Sequence, residues 1–461
     1  MIAACGTGMG ALACMLQDLG FQVTGSDHQV YPPMSDFLAG KGVHLWAGFS
    51  PSHLAPAPDL VIIGNAVTRD NVEARYVMEN QIPYCSMPQA LNHFVAKDKK
   101  IILVTGTHGK TTTSAIVAHL LQEAGLDPTF MIGGILQNFN SNYRLGNGEY
   151  IVIEGDEYDT AFFDKGPKFL HYPPYITIIN GIEFDHADIF RDLDHIKGAF
   201  KSLLTRTPSQ ATLLANGADP NLADVLKSAT CPIEYFGEGA YHWSFTHTKV
   251  NSTNAGDRQT HIHINTPDGG TFDLRSPLMG RHNAMNTIAA VAALIKLGVS
   301  HDVVLSSMER FEGIKRRQEI RGIKQGITVM DDFAHHPTAV KETIAAVKPF
   351  YDKGRVIAVF EPRTNSSMRD IFQADYALAF DDADVVCIRK PSRLDKVPEN
   401  QRLSTKKLVQ DIQDRGKKAF YFKDTESILF FLKEHTQQGD LVLVMSNGGF
   451  DNIHQRLLEL L

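Results

Sequence analysis

The N-terminal part of the chain alternates between short apolar runs and amphipathic stretches. A glycine-rich turn, Gly6–Gly10, precedes a helical pattern that extends to about Leu19, and strand-like runs follow at Phe21–Gly25 and Asp59–Gly64. Strands that alternate with helices are typical of parallel α/β sheets. The charged stretch Lys97–Lys100 interrupts this pattern, so we place a domain boundary near residue 98.

The same alternation continues beyond this break, with one antiparallel insertion. Ile101–Val104 has the composition of a buried strand, and a helix is predicted from Lys110 to about Ala124. Residues 260–274 alternate in polarity around Pro267–Gly270, which predicts a β-hairpin. The other elements predicted in this region are strands at Tyr150–Ile153 and Tyr175–Ile179 and a helix from Asn283 to Leu297.

A third alternating region follows the basic stretch Lys315–Arg317. At about 150 residues per domain, a chain of 461 residues fits three domains, which we place at residues 1–98, 99–314 and 315–461. We predict an α/β fold in which each domain has a mainly parallel sheet with flanking helices. The N-terminal and C-terminal domains are expected to be Rossmann-like and the central one to carry a phosphate loop. Strands of the third region are predicted near Thr328–Met330, Val356–Phe360, Val385–Ile388 and Leu441–Met445.

Composition narrows the class of partner. The net charge is −7 and the isoelectric point is near 6.2, so the chain has no basic surplus for nucleic acid or for an anionic membrane. No apolar run reaches the roughly 18 residues of a membrane helix, and the five cysteines show no CxxC spacing. We therefore expect a cytoplasmic enzyme that binds neither nucleic acid nor a membrane. Separately, we expect small-molecule substrates and a monomer or weak homodimer.

A candidate phosphate-binding loop follows the predicted strand Ile101–Val104. Glycine backbone amides and a helix N-terminus bind phosphate oxygens, lysine adds a point charge, and a threonine hydroxyl can bind Mg²⁺. The spacing departs from the usual GxxxxGK[ST] pattern because Val104 stands where the first glycine is expected. The sequence therefore predicts a nucleotide site, with a simple strand-to-helix turn as the alternative. The residues of the loop are Gly106, Thr107, His108, Gly109, Lys110, Thr111 and Thr112.

Two clusters of acidic residues are expected to face this loop. Glu154–Glu157 follows one predicted strand and Asn180–His186 follows the next. Ligands of open α/β sheets bind beyond the carboxyl ends of the strands, so both clusters should lie near the loop. Carboxylate, hydroxyl and imidazole groups beside phosphate oxygens suit Mg²⁺. The alternative is a pair of solvated acidic loops.

The N-terminal glycine turn is a weaker signal. Gly6–Gly10 is not a complete GxGxxG motif, and a tight packing turn is an alternative to a pyrophosphate site. Asp27 lies at the end of the second predicted strand, where a contact to a ribose or a base is expected.

The chain resembles the Mur ligases over nearly its whole length. The motifs that carry the resemblance occur in the family's order: Gly106–Thr113, Glu154–Glu157, Asp185–His186, Gly280–Asn286 and Asp331–Thr338. The resemblance implies an ATP- and Mg²⁺-dependent amide ligase with three domains. The first domain would bind a UDP-sugar and the second ATP, and the third would close over both and bind the amine substrate.

The resemblance also implies roles for single residues. Lys110 matches the lysine that binds phosphate, Thr111, Glu154 and His186 match magnesium ligands, and Lys110, Glu154 and His186 are the expected catalytic residues. His282, Asn283 and Asn286 match the adenine side of the ATP site, to which Asp332 and His335 are added from the third domain. The expected amine contacts are Arg363, Asn365 and His336. The expected UDP-sugar contacts are Gly6, Thr7, Gly8, Met9, Gly10, Ser26, Asp27 and Asn65.

Further stretches resemble the family members that add a preformed peptide. These are Val30–Ser35, Gly64–Ala66, Phe162–Lys165, Glu361–Asn365 and Met445–Phe450. They imply that L-alanyl-γ-D-glutamyl-meso-diaminopimelate is joined to UDP-N-acetylmuramate through an acyl phosphate, during peptidoglycan recycling.

Two other functions stay open. One is the addition of L-alanine, and the other is a regulatory UDP-sugar-binding protein with little ATPase activity. For Arg316 and Arg317 the alternatives are a solvated linker and contact with phosphate or UDP-sugar.

Overall fold

This computed structural model describes residues 1–30, 32, 34–187, 189–250, 258–392, 394 and 397–461, with side chains omitted at 249 and 250. Tyr31 and Pro33 of the stretch Val30–Ser35 therefore lie outside the described residues.

The N-terminal unit is a small parallel sheet whose middle position is filled by the start of the chain. Ile2 bridges Ser26 on one side and Ile63 on the other, both in parallel, and so joins two strand pairs into one layer. The apolar helix after the glycine turn packs into the core of this unit. The strands are β1 (Thr24–Asp27), β2 (His44–Ala47), β3 (Val61–Ile63) and β4 (Tyr84–Ser86), and the helices are α1 (Thr7–Asp18), α2 (Met34–Gly40), α3 (Val72–Glu79) and α4 (Met87–Leu91).

The central unit contains a ten-stranded sheet and a separate two-stranded one. The larger sheet has the order β16-β15-β14-β13-β12-β11-β5-β8-β6-β7. Its middle is parallel, and the predicted hairpin forms an antiparallel edge. The strands are β5 (Lys100–Thr105), β6 (Thr129–Leu136), β7 (Ser141–Arg144), β8 (Tyr150–Glu154), β9 (Asp159–Ala161), β10 (Asp164–Pro167), β11 (Pro174–Ile179), β12 (Thr212–Asn216), β13 (Ile233–Gly237), β14 (Trp243–Val250), β15 (Gln259–Asn265) and β16 (Thr271–Ser276).

Two helices of the central unit, Lys110–Glu123 and Arg281–Lys296, are buried against this sheet and against each other. Both are rich in alanine and β-branched residues and have little polar surface, which suits helices that are covered on most sides. The central helices are α5 (Lys110–Glu123), α6 (Leu193–Arg206), α7 (Leu222–Val225), α8 (Arg281–Lys296) and α9 (His301–Met308).

The C-terminal unit is a six-stranded sheet in the order β17-β18-β22-β19-β20-β21. Among the described strands of this sheet, only the edge pair β17 and β18 is antiparallel, and the apolar runs of the inner strands are buried. The strands are β17 (Glu319–Lys324), β18 (Ile327–Asp332), β19 (Val356–Phe360), β20 (Val385–Arg389), β21 (Lys418–Phe422) and β22 (Leu441–Met445), and the helices are α10 (Pro337–Val347), α11 (Gln373–Ala379), α12 (Thr405–Asp414), α13 (Thr425–His435) and α14 (Ile453–Leu460).

The predicted α/β fold class, with three mainly parallel sheets, is confirmed. The strand expected at Phe21–Gly25 is shifted and forms only at Thr24–Asp27. Among the described residues, no helix combines the length and apolar character needed to cross a membrane. Strands β11, β5 and β8 are adjacent and parallel, so the segments that follow Ile179, Thr105 and Glu154 meet at one edge of the central sheet.

Candidate active site

The glycine loop between β5 and α5 has a backbone that requires its two glycines. Gly106 has φ of +125° and Gly109 has φ of +76°, values that L-residues adopt rarely. A Cβ atom on Gly109 would also lie 2.2 Å from Oδ1 of Asn286. The loop is fastened from one side, because the backbone amide of Thr107 donates to the carbonyl oxygen of Gly181 at 2.9 Å.

Lys110, the first residue of α5, points into a buried network of carboxylates. Its Nζ donates to the carbonyl oxygen of Gly106 at 2.8 Å and to Oε2 of Glu157 at 2.9 Å. Burial alone would lower the pKa of Lys110, but nearby carboxylates, chiefly that of Glu157, raise it above its ordinary value. Burial opposes ionisation of Glu157 as well, yet Lys110 and His186 hold the pKa of that carboxyl at about 2. The pair is therefore ionised at neutral pH.

Thr111 and Glu154 lie together, as predicted for two ligands of one ion. The Thr111 hydroxyl donates to Oε1 of Glu154 at 2.9 Å, and the backbone amide of Gly133 donates to Oε2 at 2.7 Å. Burial, followed by the charge of Asp156, raises the pKa of Glu154. Two carboxylates that repel each other beside a threonine hydroxyl form a site whose charge a cation would balance.

His186 belongs to the same network but contacts a different carboxylate. Its Nε2 lies 3.4 Å from Oε1 of Glu157 and 3.6 Å from Oδ2 of Asp185. These charges overcome the effect of burial and raise the pKa of His186. Thr111, Glu154 and His186, the predicted metal ligands, are thus divided: Thr111 and Glu154 share a hydrogen bond, and His186 is joined to Lys110 through Glu157.

The two arginines after the central unit have different environments. Arg317 turns toward the phosphate loop, and its Nη2 lies 3.4 Å from the Thr111 hydroxyl. Arg316 instead donates to the carbonyl oxygens of Ser446 and Gly448, at 2.5 and 2.7 Å. The solvated-linker interpretation is wrong for both, and the phosphate-side interpretation fits only Arg317.

The residues predicted for the adenine side surround the start of α8. Oδ1 of Asn286 accepts from the Thr113 hydroxyl at 3.3 Å, and Nδ2 of Asn283 donates to the carbonyl oxygen of Met279 at 3.0 Å. Nδ1 of His282 is buried and has no hydrogen-bond partner among the described residues. Burial, followed by the charge of Arg317, lowers the pKa of His282 to about 4, so this imidazole is neutral.

The loop after β18 contributes one acidic residue and two histidines. Asp332 is buried and accepts from the backbone amides of Gln318 and Ala334, each at 2.8 Å. Burial lowers the pKa of His335 to about 4.

His336 caps α10, since its Nδ1 accepts from the Thr338 amide at 3.3 Å while its Nε2 donates to the carbonyl oxygen of Phe184 at 3.2 Å. Both ring nitrogens of His336 therefore have partners within the protein, and its contact with the amine stays a prediction. The sequence signal for the capping position of His336 was Pro337, because proline favours the first position of a helix.

A cleft of about 560 Å³ connects the N-terminal glycine turn to the central unit. Of the predicted UDP-sugar contacts, Gly6, Thr7, Gly8, Met9, Asp27 and Asn65 line it. Gly10 and Ser26 do not line it. Gly10 lies within α1, and Ser26 is buried with its hydroxyl bonded to Glu73. The cleft extends to Gly133 and Glu154, and also reaches residues that sequence reasoning missed: His28, Gln29, Thr160, Lys168 and Tyr172.

The predicted amine contacts other than His336 lie on one turn of the C-terminal unit. The Ser367 hydroxyl accepts from the backbone amides of Arg363 and Thr364, at 2.9 and 2.8 Å, and Asn365 lies in the same turn. Nη1 of Arg363 lies 3.8 Å from Oε2 of the fully buried Glu361. Glu361 also accepts from Nη1 of Arg389 at 2.7 Å, a pairing that no local sequence pattern indicated.

A strand, a glycine loop and a helix beside buried carboxylates, with a third α/β unit packed at the same edge, define an enzyme of the phosphate-loop nucleotide class. Family models match the three units in turn: the Mur ligase family catalytic domain at residues 1–99, the Mur ligase middle domain at 104–294 and the Mur ligase glutamate ligase domain at 316–448.

Similarity to known proteins extends over the whole chain. A UDP-N-acetylmuramate–L-alanyl-γ-D-glutamyl-meso-2,6-diaminoheptandioate ligase from Escherichia coli is 40% identical over 100% of this chain and 97% of its own. A UDP-N-acetylmuramate–L-alanine ligase from Syntrophomonas wolfei is 32% identical over 100% and 96%. The crystal structure of a murein peptide ligase from Psychrobacter arcticus superposes with a TM-score of 0.73 at 34% identity, covering 100% of this chain and 97% of its own. The chain belongs to the Mur ligase family, whose members are ATP-dependent enzymes that form peptide bonds.

Proposed function

We propose that this ligase joins L-alanyl-γ-D-glutamyl-meso-diaminopimelate to UDP-N-acetylmuramate in peptidoglycan recycling. The observation that carries the proposal is the 40% identity, over the full chain, to a ligase named for these two substrates. The cleft adds physical support, because it is large enough for part of a nucleotide sugar and leads from a glycine turn to the buried carboxylates.

Each of the three units, with boundaries at residues 98 and 314, would bind a different substrate. Residues 1–98 would bind the UDP-sugar, with its pyrophosphate against the glycine turn at the start of α1. Residues 99–314 would bind ATP at the Gly106–Thr112 loop, with His282, Asn283 and Asn286 near the adenine. Residues 315–461 would add Asp332 and His335 to the nucleotide side, and Arg363 and Asn365 to the amine side.

The chemistry that this arrangement supports has two steps. In the first, a carboxylate oxygen of the muramyl lactyl group attacks the γ-phosphorus of ATP, which forms an acyl phosphate and releases ADP. In the second, the free amine of the peptide attacks the acyl carbon, the C–N bond forms, and phosphate leaves with the electrons of the C–O bond. The amine loses a proton, which passes to the departing phosphate or to water. Lys110 would stabilise the charge on the transferred phosphoryl group, and the glycine loop would position it.

The oxygen-rich pair Thr111 and Glu154 fits a magnesium ion. Glu154 is half-buried, its pKa is raised, and its Oε1 already lies 2.9 Å from the threonine hydroxyl. When bound, Mg²⁺ would neutralise charge on the phosphates of ATP. His186 would act through Glu157. It contacts one oxygen of that carboxylate, while the other oxygen accepts from Lys110.

Selection of the amine would rest on the turn that carries Arg363. A guanidinium suits two-point recognition of a carboxylate, and the proposed peptide has several carboxylates whereas L-alanine has one. The position of Arg363 is restrained by Glu361 and by Gly448, where a Cβ atom would lie 2.2 Å from its Nη1.

A panel of amine substrates tests the proposal. Phosphate release would be measured with ATP, Mg²⁺ and UDP-N-acetylmuramate, adding the tripeptide, L-alanine or no amine. We expect release to depend on the sugar and to have the highest kcat/KM with the tripeptide. Comparable or better turnover with L-alanine would contradict the proposed substrate.

Two alternatives give other results in the same assay. Addition of L-alanine is the second candidate, because ligases named for that reaction are also similar over the full chain. A regulatory UDP-sugar-binding protein would release little or no phosphate, whichever amine is added. The complete set of Lys110, Thr111, Glu154 and His186 favours turnover over regulation.

A further inference from the structure

Two histidines and a glutamate from three different elements meet beside the phosphate loop. His108 belongs to the loop, Glu183 follows β11, and His336 precedes α10. Nε2 of His108 lies 2.9 Å from Oε2 of Glu183, and Nδ1 of His336 lies 3.8 Å from the same oxygen. One ligand atom from each residue lies within 4.8 Å of the other two.

Hydrogen bonds hold Glu183 and His336 so that Oε2 of the one and Nδ1 of the other lie near each other. Oε1 of Glu183 accepts from the Thr338 hydroxyl at 2.6 Å, which leaves Oε2 to face both imidazoles. Nε2 of His336 donates to the carbonyl oxygen of Phe184 at 3.2 Å, which leaves a lone pair on Nδ1. Metal-binding histidines and carboxylates in proteins are typically fixed in this way by a second hydrogen bond.

We propose that His108, Glu183 and His336 form a binding site for a Zn²⁺-class ion, separate from the magnesium site. Two imidazoles and one carboxylate are the three protein ligands of many zinc sites that keep a fourth position open. Mg²⁺ prefers oxygen ligands, which Thr111 and Glu154 provide, whereas the imidazole pair favours a later transition metal.

Two of the three side chains are partly exposed to solvent and the third is buried. The side chains of His108 and Glu183 are 34% and 40% exposed, so an ion can enter, while that of His336 is 4% exposed. Binding would replace the 3.3 Å hydrogen bond from the Thr338 amide to Nδ1 of His336. A bound ion would link the phosphate loop of the central unit to the first turn of α10 in the C-terminal unit.

Cobalt spectroscopy of the full chain tests this proposal directly. Co²⁺ would be titrated into the protein in excess Mg²⁺, which occupies oxygen-rich sites, and the visible d–d absorption would be recorded. Tetrahedral Co²⁺ with nitrogen ligands absorbs strongly, whereas six-coordinate Co²⁺ on oxygen ligands absorbs weakly. We expect one equivalent of strongly absorbing Co²⁺, displaced by one equivalent of Zn²⁺.

Four variants locate the ion. His108→Gln and His336→Asn should each lose the strong absorption. Asparagine keeps a good N-cap for α10, so that variant should retain its fold. Glu154→Gln, in the magnesium site, and His263→Gln, in an exposed His–Asp pair on the hairpin, should both retain the absorption.

Other results would overturn the site. These are weak absorption in the natural chain, retention of the strong spectrum in either His108→Gln or His336→Asn, or its loss in Glu154→Gln. Because none of these readouts is ligase activity, failure of the proposed reaction would leave the metal site standing, and the reverse also holds.

Discussion

Lys110 and Glu157 form a buried ion pair in which Nζ and Oε2 are 2.9 Å apart. Their side chains are only 9% and 3% exposed, and the second oxygen of Glu157 faces His186. The lysine proposed to bind phosphate is therefore already paired with a carboxylate of its own unit. Glu157 holds Lys110 at the loop. Phosphate oxygens that bind Lys110 must therefore share its ammonium group with the Glu157 carboxylate or displace that carboxylate.

Glu157→Gln should destabilise the protein at neutral pH. A shift of the Glu157 pKa from 4.5 to about 2, at roughly 1.4 kcal/mol per unit, corresponds to about 3 kcal/mol of folding free energy. A carboxyl whose pKa is lowered by folding stabilises the folded state above its unfolded pKa, and this contribution is lost as the pH falls through the folded value. The gap between natural and variant unfolding temperatures should therefore persist down to about pH 5 and narrow as the pH falls below 4.5.

Thermal unfolding monitored by circular dichroism would measure this gap. Glu399→Gln, at a side chain that is 90% exposed, serves as the control and should change little. A gap that stays the same or widens as the pH falls below 4.5 would contradict the ion-pair explanation.

Lys110→Ala should remove most ATP turnover. By analogy with the loss of single charge-stabilising contacts in other enzymes, we expect kcat to fall on the order of 10²–10³-fold. Phosphate release in the complete reaction mixture is the measurement. Lys227→Ala, at an exposed lysine on the central unit, should retain full activity. Near-natural turnover without Lys110 would mean that the loop is not the phosphate site.

Gly109→Ala should damage the phosphate loop while leaving the sheets folded. The new Cβ would clash with Asn286 and would occupy a backbone conformation with φ of +76°. We expect the KM for ATP to rise about tenfold or more, which corresponds to about 1.4 kcal/mol or more of lost binding. Gly198→Ala is the matched control. It lies within α6 with open space around it, and alanine there should stabilise the helix by about 0.5–1 kcal/mol. Equal effects of the two changes would be inconsistent with the special geometry of Gly109.

Asn65→Asp should weaken UDP-sugar binding and spare ATP. Asn65 lines the cleft beside the glycine turn, so a new carboxylate there would repel a pyrophosphate. We expect about a tenfold rise in the KM for UDP-N-acetylmuramate. Asn80→Asp introduces the same charge at the exposed end of α3, away from the cleft, and should have no such effect. Parallel changes in both Michaelis constants would contradict the assignment of separate sites.

The sequence predicted the parts of the site that depend on one strand and the loop after it. Lys110, Thr111 and Glu154 meet because parallel neighbouring strands end at one edge, and this relation can be inferred from the order of apolar runs. Ser26, which was also predicted to contact the UDP-sugar, does not line the cleft, because consecutive strand residues face opposite sides. Asp27 faces the cleft and Ser26 faces Glu73.

Contacts between distant segments could not be predicted in this way. Arg316 and Arg317 are adjacent in sequence, yet one bonds to a C-terminal loop and the other turns to Thr111. Lys168 and Tyr172 reach the cleft only because the short segment after β10 packs across it. These placements depend on how separate units pack, which no local pattern of polarity encodes.

Glu154 contacts both proposed nucleotide sites. It lines the cleft that contains Asn65, and it accepts a hydrogen bond from Thr111 on the phosphate loop. Charge on a ligand bound in the cleft would change the electrostatic potential at the phosphate loop, and charge on a ligand at the loop would change the potential in the cleft. Binding of the two nucleotides should therefore be linked, and linkage is reciprocal. If ATP with its metal tightens UDP-sugar binding by some factor, the UDP-sugar tightens ATP binding by that same factor. A single half-buried carboxylate would then favour the complex that holds both substrates.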